Sequence, residues 1–219
     1  MATRPQLRLH EEVLLIALND ERGTLPMTGM PGFALAGAIL AELLSQGRIE
    51  VEPTRKKLVR VKSAQMLGDQ LLDESLLRIR EAKRPAPLLS WVTRLTGTRR
   101  MHHRIAERLV IRAILRAEER RILRIFRTDA YPTVDSRPER EIRERLSEAV
   151  FRDNPRLDER TRLLLAVCVP SHLLGVVFSR KELKPRRKHL KALTAGDPIA
   201  QAIEKAVEQA YAVHVAMMG

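Results

Sequence analysis

The chain has 219 residues and a formal net charge of +13, from 40 basic and 27 acidic side chains. That length suffices for one domain with a sizeable core, and we expect a single domain over residues 1–219. Acidic residues interspersed among the basic ones exclude a basic disordered tail. A positive field attracts polyanions, so anionic lipid and nucleic acid are both candidate partners. An interaction scaffold whose arginine excess follows only from genome composition is a third interpretation.

The first half of the chain predicts helices and one β-hairpin. Helical periodicity covers residues 10–19 and 33–46, and the second segment is apolar nearly all round, which predicts a buried helix. Residues 47–63, "GRIEVEPTRKKLVRVKS", alternate around a Pro-Thr turn and predict two short strands. An amphipathic helix follows in 68–84. A further helix follows that, with an apolar face formed by Leu88, Trp91, Val92 and Leu95.

The second half predicts one more hairpin and then helices to the end. Residues 102–116 are helical in pattern, and "AILRAEERRILRIF" predicts a hairpin with its tip near Glu118 and Glu119. From 136 onward every segment is helical in pattern. Ser136 and Asp197 are the predicted N-caps, and Pro170 predicts a kink. The order helix, helix, hairpin is the outline of a winged-helix unit, so the fold class is mainly α with short β-hairpins.

Arginines recur every four residues from Arg100 to Arg116. In one helix each would be displaced by about 40° from the last, so the row would spiral across nearly half the circumference. Three interpretations stay open: a solvated face with intrahelical ion pairs, contact with lipid phosphates, and contact with nucleic acid. The row lacks the Asn, Gln, Ser or Thr common in base reading, so nucleic acid would be held non-specifically.

Two further features have two interpretations each. The basic run in 180–191 is either a solvated loop or a segment that meets an anionic bilayer. Trp91 is either an interfacial anchor beside Arg94 or a buried side chain that covers the bundle. Asp69, Asp73 and Glu74 are interpreted as exposed surface charge on an amphipathic helix.

No catalytic constellation is evident, and we expect no enzyme activity, no cofactor and no metal. His102 and His103 are adjacent, so on a helix they point about 100° apart and share a metal poorly. Cys168 lies in an apolar run and is interpreted as a core residue. The N-terminus lacks the apolar stretch of a signal peptide, and no apolar run reaches the ~20 residues that span a bilayer. These patterns predict a cytoplasmic, peripheral protein.

Six segments, taken in order, resemble the Golgi phosphoprotein 3 family in its bacterial branch. They are "EEVLLIALNDERG", "GAILAELLSQGRIEVE", "LGDQLLDESLLRI", "AERLVIRAILR", "RLDERTRLLLAV" and "DPIAQAIEKAVEQA", and the resemblance covers about residues 7–216. It implies a helical bundle wrapped by amphipathic helices, with a β-hairpin that inserts into the bilayer or mediates self-association. It also implies peripheral binding to phosphatidylinositol 4-phosphate and an adaptor role toward protein clients.

The family's headgroup pocket does not carry over to this chain residue by residue. Its tryptophan falls near Met27, and its three arginines fall on Ala36, His103 and Ala106. Arginines nearby could supply charge by another geometry. The resemblance therefore implies general attraction to anionic lipid more strongly than stereospecific phosphoinositide binding.

The sequence and the family resemblance predict two functional surfaces. The predicted lipid-binding residues are Arg99, Arg100, His103, Arg104, Arg108 and Trp91. The predicted hairpin residues for membrane contact or self-association are Ile122, Leu123, Ile125 and Phe126. The expected partners are an anionic, phosphoinositide-like membrane lipid, a protein client and a second copy of the chain, and nucleic acid is the less favoured partner.

Overall fold

The structure is a computed structural model that describes residues 6–18, 23–25, 30–122 and 126–218. Within these residues the fold is mainly helical, with two antiparallel two-stranded hairpins, as the sequence predicts. The elements are α1 Leu9–Ala17, α2 Pro31–Ser45, β1 Ile49–Val51, β2 Val59–Val61, α3 Gln70–Arg80, α4 Leu88–Thr96, α5 Met101–Ile111, β3 Glu118–Ile122, β4 Phe126–Ala130, α6 Arg137–Phe151, α7 Glu159–Cys168, α8 Leu174–Val177, α9 Arg180–Leu193 and α10 Pro198–Met218.

Helix α2 forms the centre of the core, which confirms the prediction of a buried helix. It is buried from Ala34 to Leu43 and packs against α1, α4, α7 and α10. Small side chains let these helices approach closely. A Cβ on Gly37 would lie 2.3 Å from Cδ1 of Ile203 on α10, so only glycine fits there without movement.

Helix α5 ends earlier than predicted, at Ile111 and not at residue 116. Ala113 takes a left-handed conformation with φ of 55°, and the amide of Ile114 donates to the carbonyl of Leu109 at 2.9 Å. This is the hydrogen-bond pattern that closes a helix C-terminus. It turns Ile114 and Leu115 into the core, where both are buried.

The second hairpin has its turn later than predicted. The register pairs Glu118 with Ala130 and Ile122 with Phe126, so the connection is 123–125 and not the region of Glu118 and Glu119. Both acidic residues lie within β3 instead. The tip is therefore framed by apolar residues, whereas the sequence pattern suggested a charged one. The first hairpin forms as predicted, with Glu50 opposite Arg60.

The last third of the chain is helical, with two local corrections. Ser136 precedes α6 as expected, but its side chain makes no cap bond, and Asp135 accepts from the Arg137 amide at 3.2 Å instead. Around Pro170 the helix breaks fully between α7 and α8, and His172 adopts φ of 60°.

Asp197 caps α10 as predicted, accepting from two amides at 2.8 and 2.9 Å. Among the described helices, none has the length and apolar character needed to cross a bilayer.

Candidate functional site

The five arginines spaced by four residues do not form one continuous row. Arg104 and Arg108 lie within α5, while Arg112 is its C-cap. Arg100 precedes the helix with a left-handed φ of 53°, and Arg116 lies beyond the helix in the segment that leads to β3. The expected spiral is therefore broken at both ends.

The two arginines within α5 pair with carboxylates on other helices. Both terminal nitrogens of Arg104 bond Glu74 on α3, at 2.9 and 2.6 Å. Arg108 lies 3.5 Å from Glu11 on α1 and 3.3 Å from Asp69 at the start of α3. The Arg104–Glu74 contact, in which two nitrogens donate to two oxygens, is among the stronger kinds of hydrogen bond in proteins. The charge of these arginines is thus engaged inside the fold, through pairs between helices and not within one.

The predicted lipid-binding cations that precede α5 are more accessible. Arg100 is 57 % exposed and lies 3.2 Å from Asp129 at the end of β4. Arg99 is exposed and makes no ion pair within the described part of the chain. Arg99 is therefore the best placed of the four predicted arginines to meet an external phosphate.

A layer of buried carboxylates lies beneath these pairs. Arg160 on α7 binds Glu12 at 3.1 Å and Glu42 at 2.8 Å. Burial raises the pKa of Glu42, but Arg160, the Leu9 amide and Arg8 together lower it by more, so this pKa falls below its ordinary value. At Glu12 burial outweighs the effects of Arg160 and Arg145, so that pKa is raised. These contacts join α1, α2, α6 and α7 and have a structural role.

Asp69 belongs to the same layer, although the sequence pattern suggested an exposed residue. It is fully buried, and one of its oxygens lies 3.3 Å from Nε2 of His10. Its side chain also caps α3, accepting from the amides of Leu71 and Leu72 at 3.0 Å. Burial raises the pKa of Asp69, but His10, the Leu72 amide and Arg108 together lower it well below its ordinary value.

The adjacent histidines of α5 have different environments. Nδ1 of His103 lies 3.0 Å from the Tyr131 hydroxyl and 3.4 Å from Asp129. Burial, followed by the nearby His103 and Arg100, lowers the pKa of His102 to about 4. His102 is therefore neutral near pH 7 and adds no charge to this surface. Among the described residues, no three His, Cys, Asp or Glu side chains are arranged to hold a metal ion.

Trp91 is buried within the bundle. It is 3 % exposed, and the guanidinium carbon of Arg94 lies 4.8 Å from the centre of its ring. An interfacial anchor requires an exposed indole. Trp91 is therefore a buried side chain that covers the bundle, which is the second of its two interpretations.

The positions that match the family's headgroup pocket do not bring arginines together. Ala36 and Ala106 are buried in the core, and His103 is half-buried against Tyr131. Met27 lies outside the described residues. The three described positions thus offer no guanidinium to a phosphorylated headgroup.

Helix α9 carries the densest set of exposed cations. Its basic stretch is a helix, and not the loop that one interpretation assumed. Ser179 and Glu182 cap it, with the Ser179 amide donating to Glu182 at 2.8 Å, and Arg186 pairs with Asp153. The other cations are all exposed and form no ion pair with any described residue: Arg180, Lys181, Lys184, Arg187, Lys188 and Lys191.

An open cleft separates α9 from α10. Helix α9 packs against α6, whereas α10 packs against α2, α4 and α7, which leaves a cleft of about 1380 Å³ between them. One wall is cationic, and the opposite wall carries Glu204 and Glu208. The cationic wall consists of Arg180, Lys181, Lys184, Arg187 and Lys191, and the apolar lining includes Leu174, Leu183, Leu190, Val207 and Tyr211.

The sequence predicts the basic run but not the cleft beside it. One feature of the sequence does indicate the cationic wall of this cleft. Arg180, Lys184, Arg187 and Lys191 recur at helical spacing, with Leu183 and Leu190 on the same face. That pattern predicts a cationic helix with an apolar strip, but not which helix stands opposite.

The predicted hairpin residues frame the turn of the second hairpin. Ile122 ends β3 and Phe126 begins β4, and their backbones are paired. Leu123 and Ile125 lie outside the described residues. The two described residues, Ile122 and Phe126, therefore lie at the end of the hairpin that leads into its connection.

A comparison of the sequence with protein-family models assigns the chain to a known family. The chain belongs to the Golgi phosphoprotein 3 (GPP34) family, whose model matches residues 9–210. This confirms the resemblance drawn from the six segments.

A more particular similarity is to vacuolar protein sorting-associated protein 74 of Eremothecium gossypii. The two are 29 % identical over 174 residues, which cover 70 % of this chain and 52 % of that protein. The chain thus spans about half the length of this curated relative.

Proposed function

We propose that this protein binds peripherally to membranes that contain anionic lipid and acts there as an adaptor. The observation that carries the proposal is the set of six exposed α9 cations that pair with no described residue. Near an anionic bilayer each such charge contributes roughly 1 kcal/mol, and the attraction is screened by salt. Arg99 adds a further accessible cation.

The lipid is recognised by its negative charge more than by its stereochemistry. The family resemblance favours phosphatidylinositol 4-phosphate as a ligand. However, Ala36 and Ala106 are buried and neutral where the family pocket has arginines. We therefore expect equal binding to phosphatidylinositol 4-phosphate and phosphatidylserine vesicles that have been matched in surface charge.

The second hairpin gives a second contact in this proposal. Its tip is framed by Ile122 and Phe126, and the intervening sequence contains Leu123 and Ile125. Charge alone gives reversible binding, and stable attachment needs an apolar contribution as well. The family resemblance supports membrane contact or self-association through this hairpin, and it supports the role as an adaptor for a protein client.

Vesicle flotation tests the proposal directly. The protein should float with vesicles of equimolar phosphatidylcholine and phosphatidylserine and remain behind with phosphatidylcholine alone, and binding should weaken as salt is raised. DNA retardation at the same salt is the companion measurement. Strong DNA retention without flotation would instead support a nucleic-acid binder. A lack of response in both assays would favour an interaction scaffold.

A further inference from the structure

The far end of α10 exposes apolar side chains that no described element covers. Tyr211 is 47 % exposed, Val213 53 % and Val215 71 %. Between Glu208 and the end of the helix the sequence carries no acidic or basic residue other than His214. Three of the six large hydrophobic side chains that are exposed in the described structure belong to this one helix end. At about 100° per residue Tyr211 and Val215 share one side of the helix and Val213 lies on the other, so apolar side chains surround the helix end, and exposed apolar surface of this kind marks an interaction site.

Cations stand at the base of this apolar end. Helices α9 and α10 are joined by the short connection 194–197 and both line the same cleft, with Thr194 and Ala195 at the connection. Arg180, at the start of α9, and Tyr211 line that cleft as well. Since each helix is about 14 residues from the connection at these positions, Arg180 and Tyr211 lie at a similar level. On the α9 side of the cleft this level carries the exposed cations Arg180, Lys181 and Lys184, while Glu208 lies on α10 about one turn before Tyr211.

The length of the unaccompanied segment matches a membrane interface. Residues 212–218 extend past that level by about 10 Å, at a rise of about 1.5 Å per residue. Helices at an interface bury their apolar parts about 5–10 Å into the boundary between headgroups and acyl chains. An apolar end of this length above a group of cations would place the cations at the level of the lipid phosphates.

Charge complementarity decides between the occupants of this end. In a symmetric contact through this end, a second copy of the chain would bring its own Arg180, Lys181 and Lys184 against the same three cations, which is repulsive. An anionic bilayer offers both an apolar interior for the valines and phosphates for the cations.

We infer that the α10 end, residues 211–216, inserts into the interface of an anionic phospholipid bilayer while Arg180, Lys181 and Lys184 bind lipid phosphates at its base. This inference rests on the proposed function, and it adds an insertion element that is separate from the hairpin.

A single fluorophore tests the insertion. Cys168 is the only cysteine and is fully buried, and burial raises the pKa of its thiol, so it resists labelling. In the full chain, Val215→Cys carries a nitrobenzoxadiazole label, and Ile111→Cys is the matched control because Ile111 is 85 % exposed on α5. With equimolar phosphatidylcholine and phosphatidylserine vesicles, the label at 215 should brighten at least twofold and shift to shorter wavelength. The label at 111 should not change, and inorganic phosphate should have no effect on either.

Each outcome has a defined meaning. Flotation without a change at 215 overturns the inference and leaves the proposed function standing, whereas no flotation overturns both. An equal change with neutral vesicles, or a rise with protein concentration in the absence of vesicles, also overturns the inference, and the second result would assign a second copy to this end. As an independent measurement, Val215→Asp should weaken vesicle binding at least tenfold, while Ile111→Asp should leave it unchanged.

Discussion

At the residue scale, buried carboxylates determine what the arginines of the fold do. Glu11 is fully buried and pairs with Arg112 at 2.8 Å, and Arg160 is only 16 % exposed between Glu12 and Glu42. Removing one partner of a buried pair leaves an uncompensated charge and costs several kcal/mol. If substitution of such an arginine abolished lipid binding, the cause could equally be unfolding or the loss of a lipid contact. Substitutions of exposed cations test lipid binding without this ambiguity.

His102 makes the stability of the protein depend on pH in a defined direction. Its pKa falls from 6.5 to about 4 on folding, so as pH falls the unfolded chain takes up the proton first. The contribution to the free energy of unfolding is present above pH 6.5 and is lost as pH falls toward 4. After allowance for partial solvent screening we expect about 1 kcal/mol.

Denaturant unfolding of the parent protein and of His102→Gln measures this contribution. The parent should lose more stability than the variant when pH is lowered from above 6.5 to near 4. The variant is the control for the parent protein, because it lacks the His102 imidazole and keeps every other titrating group. If the free energy of unfolding falls by the same amount with pH in both proteins, the lowered pKa of His102 is contradicted.

At the element scale, the contact between α2 and α10 depends on Gly37. An added Cβ would lie 2.3 Å from Cδ1 and 2.9 Å from Cγ1 of Ile203. Overpacking of a core typically costs about 1–3 kcal/mol, against a gain of about 1 kcal/mol in helix propensity for alanine. Gly37→Ala should therefore lower the free energy of unfolding by about 1 kcal/mol, as measured by denaturant titration.

Gly175 provides the matched control for this contact. It lies in α8, and a Cβ there would meet no atom within 4 Å, so Gly175→Ala should not lower the free energy of unfolding and should raise it by up to about 1 kcal/mol through helix propensity alone. Ile203→Val removes the nearest atom and should recover part of the loss in the Gly37→Ala background. An unchanged or raised stability in Gly37→Ala itself would show that Ile203 moves aside at no cost.

The sequence predicts most of the elements, because their signals are local. The apolar residues of α2 and the Asp197-Pro198 start of α10 depend only on neighbouring residues, and both predictions are confirmed. The end of α5 was misplaced because the helical pattern continues through Ala113, an alanine with φ of 55°. The tip of the second hairpin was misplaced because the register depends on pairing with β4, which residue types alone do not fix.

The candidate site was predictable only in part. The basic run was visible, but the engagement of Arg104 by Glu74 and of Arg108 by Asp69 brings together residues 30 or more positions apart. No local pattern contains such pairs. The burial of Asp69 and Trp91 is likewise set by tertiary packing and not by their neighbours in sequence.

At the scale of the whole molecule, the cations that produce the net charge of +13 are not equally accessible to a partner. Carboxylates of α1 and of the α3 segment pair with the α5 arginines, whereas the cations of α9 remain exposed beside the cleft. An anionic bilayer is a flat surface that attracts cations only within a screening length of about 10 Å. A local group of accessible cations therefore contributes more to this attraction than charge elsewhere on the molecule. Membrane attraction is therefore expected from the α9 cations and not from the total charge.

Two lysine variants with the same change in net charge test this claim most directly. Lys181, Lys184 and Lys191 are exposed and line the cleft, while Lys56, Lys62 and Lys83 are exposed on other parts of the fold. Each set is replaced by alanine, and binding to equimolar phosphatidylcholine and phosphatidylserine vesicles is measured at one salt concentration. At roughly 1 kcal/mol per lysine, the α9 variant should bind roughly 100-fold more weakly, and the control variant should stay close to the parent. Equal weakening in both variants, or none in the α9 variant, would contradict the account.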